Sequence, residues 1–209
     1  MKKILLATLL PVIFFSCSEP EKKPAGNDTP SKADAPIKVL PPASNYTNPD
    51  RSPMDMVYFP TDYPLLKMAG KTSVPPFMRI IYSRPQKQGR PIFGGLVKYD
   101  TPWRLGANEA TEIEFYKDVK IGGKKVPKGR YTLYAIVSEN VWTMILNKDT
   151  DTWGAFKYDS KKDVLRTDVP AQKTDEVVES MSMLFEKSAT GISLIIAWEQ
   201  MKVTLPITL

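Results

Sequence analysis

The feature that most constrains this chain is an alternation of apolar and polar residues that begins at Thr111 and recurs to the C-terminus. Thr111, Ile113 and Phe115 alternate with Glu112 and Glu114, a pattern typical of a strand with one buried face. Turn residues separate the apolar runs at intervals of about 8–12 residues, which predicts an all-β fold, an antiparallel β-sandwich of jelly-roll-like form. The predicted strands, eight or nine in number, are 77–82, 111–115, 119–121, 130–137, 141–146, 164–169, 177–185, 192–198 and 202–209.

One long irregular loop interrupts this regular pattern. The run from Ser83 to Thr111 contains four glycines, three prolines and three arginines, and connections much longer than about 4–6 residues are often functional. Guanidinium groups and an indole suit a carboxylate, a phosphate or a sugar face. In the alternative interpretation the arginines bond loop carbonyls and Glu109, while Trp103 and Phe93 fill the end of the sandwich. The candidate ligand-binding residues are Arg84, Arg90, Trp103, Arg104, Asn108 and Glu109.

The N-terminus has the pattern of a bacterial lipoprotein signal. Met1-Lys2-Lys3 is followed by an apolar run from Ile4 to Phe15 and then by Ser16 and Cys17. At about a dozen residues the run is shorter than the ~20 that a spanning helix needs. Cys17 is the lone cysteine and stands where such signals place the residue to be lipidated. We therefore predict a signal peptide over residues 1–17, a palmitate-bearing lipid anchor on Cys17 as the contact with the cell membrane, and, because Ser18 is not Asp, localisation to the outer membrane.

Composition divides the remainder into a tether and one domain. Residues 18–50 are rich in Pro, Ala, Ser, Asn and Lys, and little of this segment can be buried, which predicts a disordered tether. Residues 51–209 are long enough for one domain with a substantial core. Within it, the proline-broken segment 51–76 is predicted to be a surface arm, and residues 77–209 the core of the domain.

Composition also excludes several chemistries. The chain contains no histidine, so Ser-His-Asp catalysis and His-ligated metal sites are excluded, and we predict no metal and no cofactor. The formal charge is +6, but basic residues are spread as Lys-Lys pairs beside acids and form no long run, so no nucleic-acid partner is predicted.

Two groups of acidic residues have spacings that resemble known sites. Glu112 and Glu114 are two residues apart on one strand, so their carboxyl groups lie ~6–7 Å apart, a spacing that glycosidases use. The simpler interpretation is the solvated face of a half-buried strand, and Glu109 does not change it. Asn147, Asp149 and Asp151 resemble the start of a calcium loop. However, Thr152 stands at the position of the required glycine, so a polar turn is favoured and no catalytic residue is assigned.

A set of short motifs carries a family resemblance. They are SRP, GR, FGGLV, WR.GANEAT, VP.G.Y.L, W..ILN, WGA..Y and D.LR, in this order between Ser83 and Arg166. Through these motifs the chain resembles the bacterial domain-of-unknown-function family numbered 2911, over about Phe77 to Leu209. Lys98 and Asp100 depart from the proline and glycine expected beside Tyr99. The resemblance implies an exported β-domain and no assigned activity.

Together these observations favour binding over catalysis. We predict a membrane-anchored exported lipoprotein that uses the 83–111 loop as a binding module for a small anionic or carbohydrate-like ligand. The alternatives are a hydrolase that works through Glu109, Glu112 or Glu114, and a purely structural cell-envelope protein.

Overall fold

The described part of the chain, residues 51–209 of a computed structural model, is built almost entirely from antiparallel strands. Helix α1, Tyr63–Met68, and a single 3-10 turn, Ser160–Lys162, are the helical elements of this part. The all-β prediction is confirmed, with ten strands where eight or nine were expected. In chain order the strands are β1 Met54–Phe59, β2 Met78–Ser83, β3 Pro102–Trp103, β4 Glu112–Phe115, β5 Val119–Ile121, β6 Lys124–Val126, β7 Gly129–Val137, β8 Val141–Asn147, β9 Asp163–Ser188 and β10 Gly191–Thr208.

The strands follow the order β1-β2-β4-β7-β8-β9-β10-β5-β6, and β3 pairs with β7 outside this path. β9 pairs with β8 through its first half and with β10 through its second half. The segment after β2 also meets β9, because Gln86 bridges Ser180 and the Met181 N–H donates to the Pro85 carbonyl at 2.9 Å. These pairings fold the sheet over its own core, consistent with a sandwich.

The two C-terminal strands are longer than the sequence pattern predicts. The regions predicted as four strands form two, because β9 continues across Pro170, which pairs with Val141, and β10 continues across Glu199. A register shift surrounds Glu199, whose φ of 54° marks a bulge. Buried residues occupy even positions before the bulge and odd positions after it: Ile192, Leu194, Ile196 and Trp198, then Val203, Leu205 and Ile207. The extra residue keeps both halves facing the core.

The predicted surface arm is more regular than expected. Residues 54–59 form β1, which pairs along its whole length with β2. Val57 and Phe59 are partly buried against the core, whereas Met54 and Met56 are exposed. This segment therefore includes an edge strand.

The predicted signal peptide, Cys17 and the tether lie outside the described residues. Within residues 51–209 no helix is long and apolar enough to span a bilayer.

A second, smaller apolar cluster lies apart from the main core. Tyr134 of β7 and Ile145 of β8 are buried there with Ala110. Ala155 and Tyr158, which belong to the connection between β8 and β9, pack against this cluster. The connection is thereby placed beside the residues that follow Trp103, and it forms one wall of the candidate site.

Candidate functional site

Arg84 is held by partners within the domain. Its Nε donates to the Met181 carbonyl at 3.2 Å, Nη2 donates to Ser182 Oγ at 3.1 Å, and Nη1 lies 3.3 Å from Asp55 Oδ2. These contacts join the start of the long loop to β9 and β1. The guanidinium group therefore acts as a structural clamp.

Arg90 closes a turn of the same loop. Its Nε donates to the Lys87 carbonyl at 3.0 Å, and its Nη2 donates to the Gln86 carbonyl. The side chain is exposed, yet both nitrogens bond carbonyls of its own loop. This arrangement matches the structural interpretation of the loop arginines.

Trp103 is a core residue. Its side chain is 7% exposed, its Nε1 donates to the Gly106 carbonyl at 3.2 Å, and its ring stacks on Trp198. Phe93 contacts Trp103 and Trp198 edge-on, with centroid distances of 6.2 and 6.4 Å. Trp142 completes this aromatic cluster, 5.1 Å from Phe93. Trp103 and Phe93 thus fill the interior, as the alternative interpretation of the loop expected.

Arg104 differs from the other two loop arginines. Arg104 is half-buried, and its Nε atom is buried without a hydrogen-bond partner in the described structure. Burial lowers the pKa of the Arg104 guanidinium. No ion pair within residues 51–209 includes this side chain. The residue lines a depression of about 260 Å³ whose other lining residues include Leu96, Lys98, Thr101 and Phe156.

One exposed aromatic ring, Phe156, lines this depression, and a second, Trp153, stacks on it. Trp153 is 63% exposed and Phe156 is 82% exposed, and their rings stack with centroids 5.9 Å apart at 22°. Gly154, with φ +75°, lies between them, and a Cβ there would stand 2.6 Å from the Phe156 ring. The turn therefore requires glycine in order to bring the two rings together. We define the aromatic shelf as Trp153 and Phe156.

The sequence of the domain identifies its family. A family model described as "Protein of unknown function (DUF2911)" matches residues 68–207. The chain belongs to this family. No curated protein and no solved structure matches the chain. The match confirms the resemblance carried by the motifs between Ser83 and Arg166, and it covers the strands from β2 to β9 and β10 up to residue 207.

The remaining two candidate residues, Asn108 and Glu109, belong to the long loop of this DUF2911 domain but do not line the depression that contains Arg104. Asn108, with φ +59°, accepts the Gly154 N–H at its carbonyl, 2.9 Å away, and Glu109 forms an isolated bridge with Trp153. These contacts fix the base of the aromatic shelf. The exposed Glu109 lines a separate depression of about 290 Å³, together with Met54, Ile81, Ala110, Glu112, Asp151 and Thr152.

Carboxylates of the DUF2911 domain are bound to arginines. Glu112 lies 3.3 Å from Arg130 and accepts the Asp151 N–H at 2.6 Å, while Glu114 lies 2.7 Å from Arg79 Nε. Glu112 and Glu109 share a depression, but Arg84, Arg90 and Arg104 do not line it. The glutamates of β4 are therefore the ion-paired polar face of a half-buried strand.

The acidic turn after β8 also forms internal bonds. Asn147 is buried and donates to the Asp159 carbonyl and to Asp163 Oδ1, at 2.9 and 2.8 Å. Asp149 lies 3.0 Å from Lys162 Nζ, and Asp151 pairs with Arg130. Within residues 51–209 no group of three or more acidic, His or Cys side chains is arranged to hold a metal ion. The polar-turn interpretation fits these contacts.

The sequence analysis missed the aromatic shelf, because it selected Trp103 of the long loop and left aside Trp153, Trp142 and Trp198. The latter two are buried. The available signal was Gly154 between two aromatic residues in a run of turn residues, where a ring next to a left-handed glycine has little chance to pack inward.

Proposed function

We propose that the domain is a binding module whose ligand combines an anionic group with an apolar or sugar-ring face. The observation that carries this proposal is the buried Nε of Arg104, which lacks a hydrogen-bond partner at the wall of an open depression. Arg104 would bind the anion, and the aromatic shelf would contact the adjoining ring or chain.

The energetic argument concerns desolvation. A buried donor without a partner, on a group that carries charge, costs free energy in the unliganded protein. Burial acts against the cation here, as the lowered pKa of Arg104 indicates. An anion that reached this guanidinium would supply charge-assisted hydrogen bonds and offset the desolvation. Arg84 and Arg90 already have such partners, so Arg104 is the loop arginine with the most to gain from a ligand.

The aromatic shelf supports the second part of the proposal. Single exposed apolar residues are common, but a contiguous exposed apolar patch beside a depression is typical of a contact site. Phe156 lines the depression directly, and Trp153 stacks on it. Flat rings of this kind contact apolar chains, aromatic groups and the faces of sugars. Sugar acids and amphipathic anions both satisfy this combination.

A carboxylate-dependent hydrolase has less support. Such an enzyme needs two carboxyl groups in one cavity, one of them free to accept or donate a proton. Glu109 and Glu112 share one depression, but Glu112 is ion-paired with Arg130 and accepts the Asp151 N–H, which leaves Glu109 without a second carboxylate available for the reaction. Glu114 is ion-paired with Arg79 and does not line that depression.

A titration with four probes tests the binding proposal. The probes are anilinonaphthalene sulfonate, a medium-chain fatty carboxylate, a galacturonate oligomer and the matching neutral galactose oligomer. Trp153 is the exposed tryptophan, while Trp103, Trp142 and Trp198 are buried, so quenching of tryptophan emission reports on the shelf. We expect at least one anionic probe to quench saturably and the neutral oligomer to bind more weakly. Saturable binding by none of the four would contradict the proposal.

We also propose that the chain is an exported lipoprotein, anchored to the outer membrane through Cys17 with residues 18–50 as its tether. The support is the apolar run that ends at Ser16-Cys17 and the polar composition after it. Cys17→Ser should leave the protein soluble after export or uncleaved. A variant that still fractionates with membranes at the mature mass would refute the anchor.

A further inference from the structure

One end of the sheet gathers exposed lysines. Neighbouring strands align there in the row Phe59, Met78, Phe115 and Gly129. Helix α1 follows β1 at this end, and the β5–β6 hairpin connects β4 to β7 in the chain, between the paired residues Phe115 and Gly129. We define the lysine end by the exposed lysines of the segments that meet here, namely Lys67, Lys71, Lys117, Lys120, Lys124, Lys125, Lys128 and Lys187.

Direct contacts join these segments into one surface. Lys117 Nζ lies 4.6 Å from the centroid of the Phe77 ring. Lys117 and Phe77 also line a depression of about 280 Å³ together with Tyr63 and Leu66 of α1. Lys187 lines the neighbouring depression, which Phe77 shares. Lys117 and Lys187 therefore border adjoining depressions, and Lys120 of the hairpin pairs with Thr208, which lines the same depression as Lys187.

The β5–β6 hairpin places like charges close together. Lys120 lies directly opposite Lys125 in the strand register, and Lys124 lies opposite Ile121. Like charges directly opposite one another on a sheet destabilise it. Asp118 offsets part of this repulsion, because its carboxylate lies 2.7 Å from Lys125 Nζ and accepts the Lys128 N–H at 2.9 Å. An external anionic surface would offset the remaining repulsion between these lysines.

Large apolar side chains are exposed among these lysines. Leu65 and Met68 of α1 are 65% and 80% exposed, and Val74 in the following segment is 64% exposed. Lys67 lies between Leu65 and Met68 in the sequence, and Lys71 lies between Met68 and Val74. Exposed apolar groups surrounded by lysines suit a lipid headgroup interface, where the apolar groups enter the acyl boundary and the ammonium groups meet phosphate.

We propose that the lysine end docks the domain on the surface of an anionic lipid bilayer. Each lysine near such a surface contributes attraction that decays within a Debye length, and exposed apolar side chains add to it. The exposed leucine and methionine favour lipid over nucleic acid, whose phosphate contacts need no apolar insertion of this kind. The proposal is independent of the ligand proposed for Arg104, which lies on a different depression.

Vesicle sedimentation tests this inference. The full chain carrying Cys17→Ser, which cannot be lipidated, is mixed with phosphatidylglycerol-containing vesicles or with pure phosphatidylcholine vesicles at low salt. We expect tighter partitioning onto the anionic vesicles. The triple variant Lys120→Gln, Lys124→Gln and Lys128→Gln should lower that partition coefficient about 100-fold, since each lysine near the surface contributes roughly fivefold. Added salt should weaken the binding of the parent chain more than that of the variant.

A matched control removes the same charge elsewhere. Lys148, Lys157 and Lys161 are exposed and lie outside the lysine end, and their triple Gln variant should partition like the parent chain. A second variant, Leu65→Ser with Met68→Ser, should weaken vesicle binding without changing net charge. Equal partitioning of both triple variants would overturn the proposal. The lysines would then serve to prevent the β6 edge from pairing with another strand. Retention on duplex DNA with no preference for anionic vesicles would also overturn it.

Discussion

Trp103 stacks on Trp198 with ring centroids 6.1 Å apart and planes 18° apart. The contact joins the long loop to β10, and Phe93 and Trp142 close the cluster around it. The loop is therefore anchored in the core at its middle, at Phe93, and near its end, at Trp103. Arg104 is the next residue, so the position of its guanidinium group is set by a buried neighbour.

Trp103→Ala should strongly destabilise the domain. Truncation of a buried tryptophan leaves a large cavity and costs about 3–5 kcal/mol. Urea denaturation measures the change in the free energy of unfolding. Trp153→Ala is the matched control, because that ring is exposed and its removal should cost less than about 1 kcal/mol. Equal losses for the two variants would show that the aromatic cluster does not anchor the loop.

Arg84→Ala should also destabilise the domain, by about 1–2 kcal/mol. The truncation leaves the Met181 carbonyl and Ser182 Oγ without this donor, and it removes the ion pair with Asp55. The side chain is partly exposed, so water replaces some of these bonds and keeps the cost moderate. Arg51→Ala, at an exposed position, is the control in the same urea titration. An Arg84 variant as stable as the Arg51 variant would contradict the clamp.

The stability of the domain should fall at high pH, in part through Tyr158. Burial, with a hydrogen bond from its hydroxyl to Asp163 Oδ2 at 2.7 Å, raises the pKa of Tyr158 to about 12. The unfolded tyrosine has a pKa of about 10. Above about pH 10 the unfolded chain therefore releases a proton that the folded domain retains until about pH 12, which favours unfolding. Below about pH 10 this stabilisation is fully present.

Tyr158→Phe should make this pH dependence shallower. Burial, with a hydrogen bond to Glu114, also raises the pKa of Tyr116 to about 12, so Tyr116→Phe should act in the same direction and the two effects should add. The free energy of unfolding, measured at several pH values between about 9 and 12, gives the slope. A slope unchanged in both variants would show that neither hydroxyl titrates differently in the folded state.

Much of the strand pattern is predictable because burial of one face imposes a period of two. β2, β4, β5, β7 and β8 lie within one or two residues of their predicted positions. β9 was predicted as two strands because a proline normally ends a strand. In the structure Pro170 pairs with Val141, so β9 continues through the proline. The continuity of β10 depends on a bulge at Glu199, which has no distinct sequence signal.

The roles of the loop arginines were not predictable from local sequence. Arg84 bonds the Met181 carbonyl, 97 residues away in the chain, so its role as a clamp follows from tertiary pairing. Arg90 bonds its own turn. Arg104 is distinguished by its Nε, which has no hydrogen-bond partner within the described structure. Three arginines in one loop thus have three different surroundings, and composition alone does not separate them.

The most direct test of the binding site pairs stability with affinity for the variant Arg104→Gln. Removing a half-buried cation whose Nε lacks a partner should leave the free energy of unfolding unchanged or higher. Affinity for anilinonaphthalene sulfonate, or for whichever anionic probe quenches Trp153, should fall by about tenfold or more, which is about 1.4 kcal/mol. Arg51→Gln should change neither quantity. An Arg104→Gln domain that is less stable by about 1 kcal/mol or more, and that binds the probe as tightly as the parent, would contradict the proposed site.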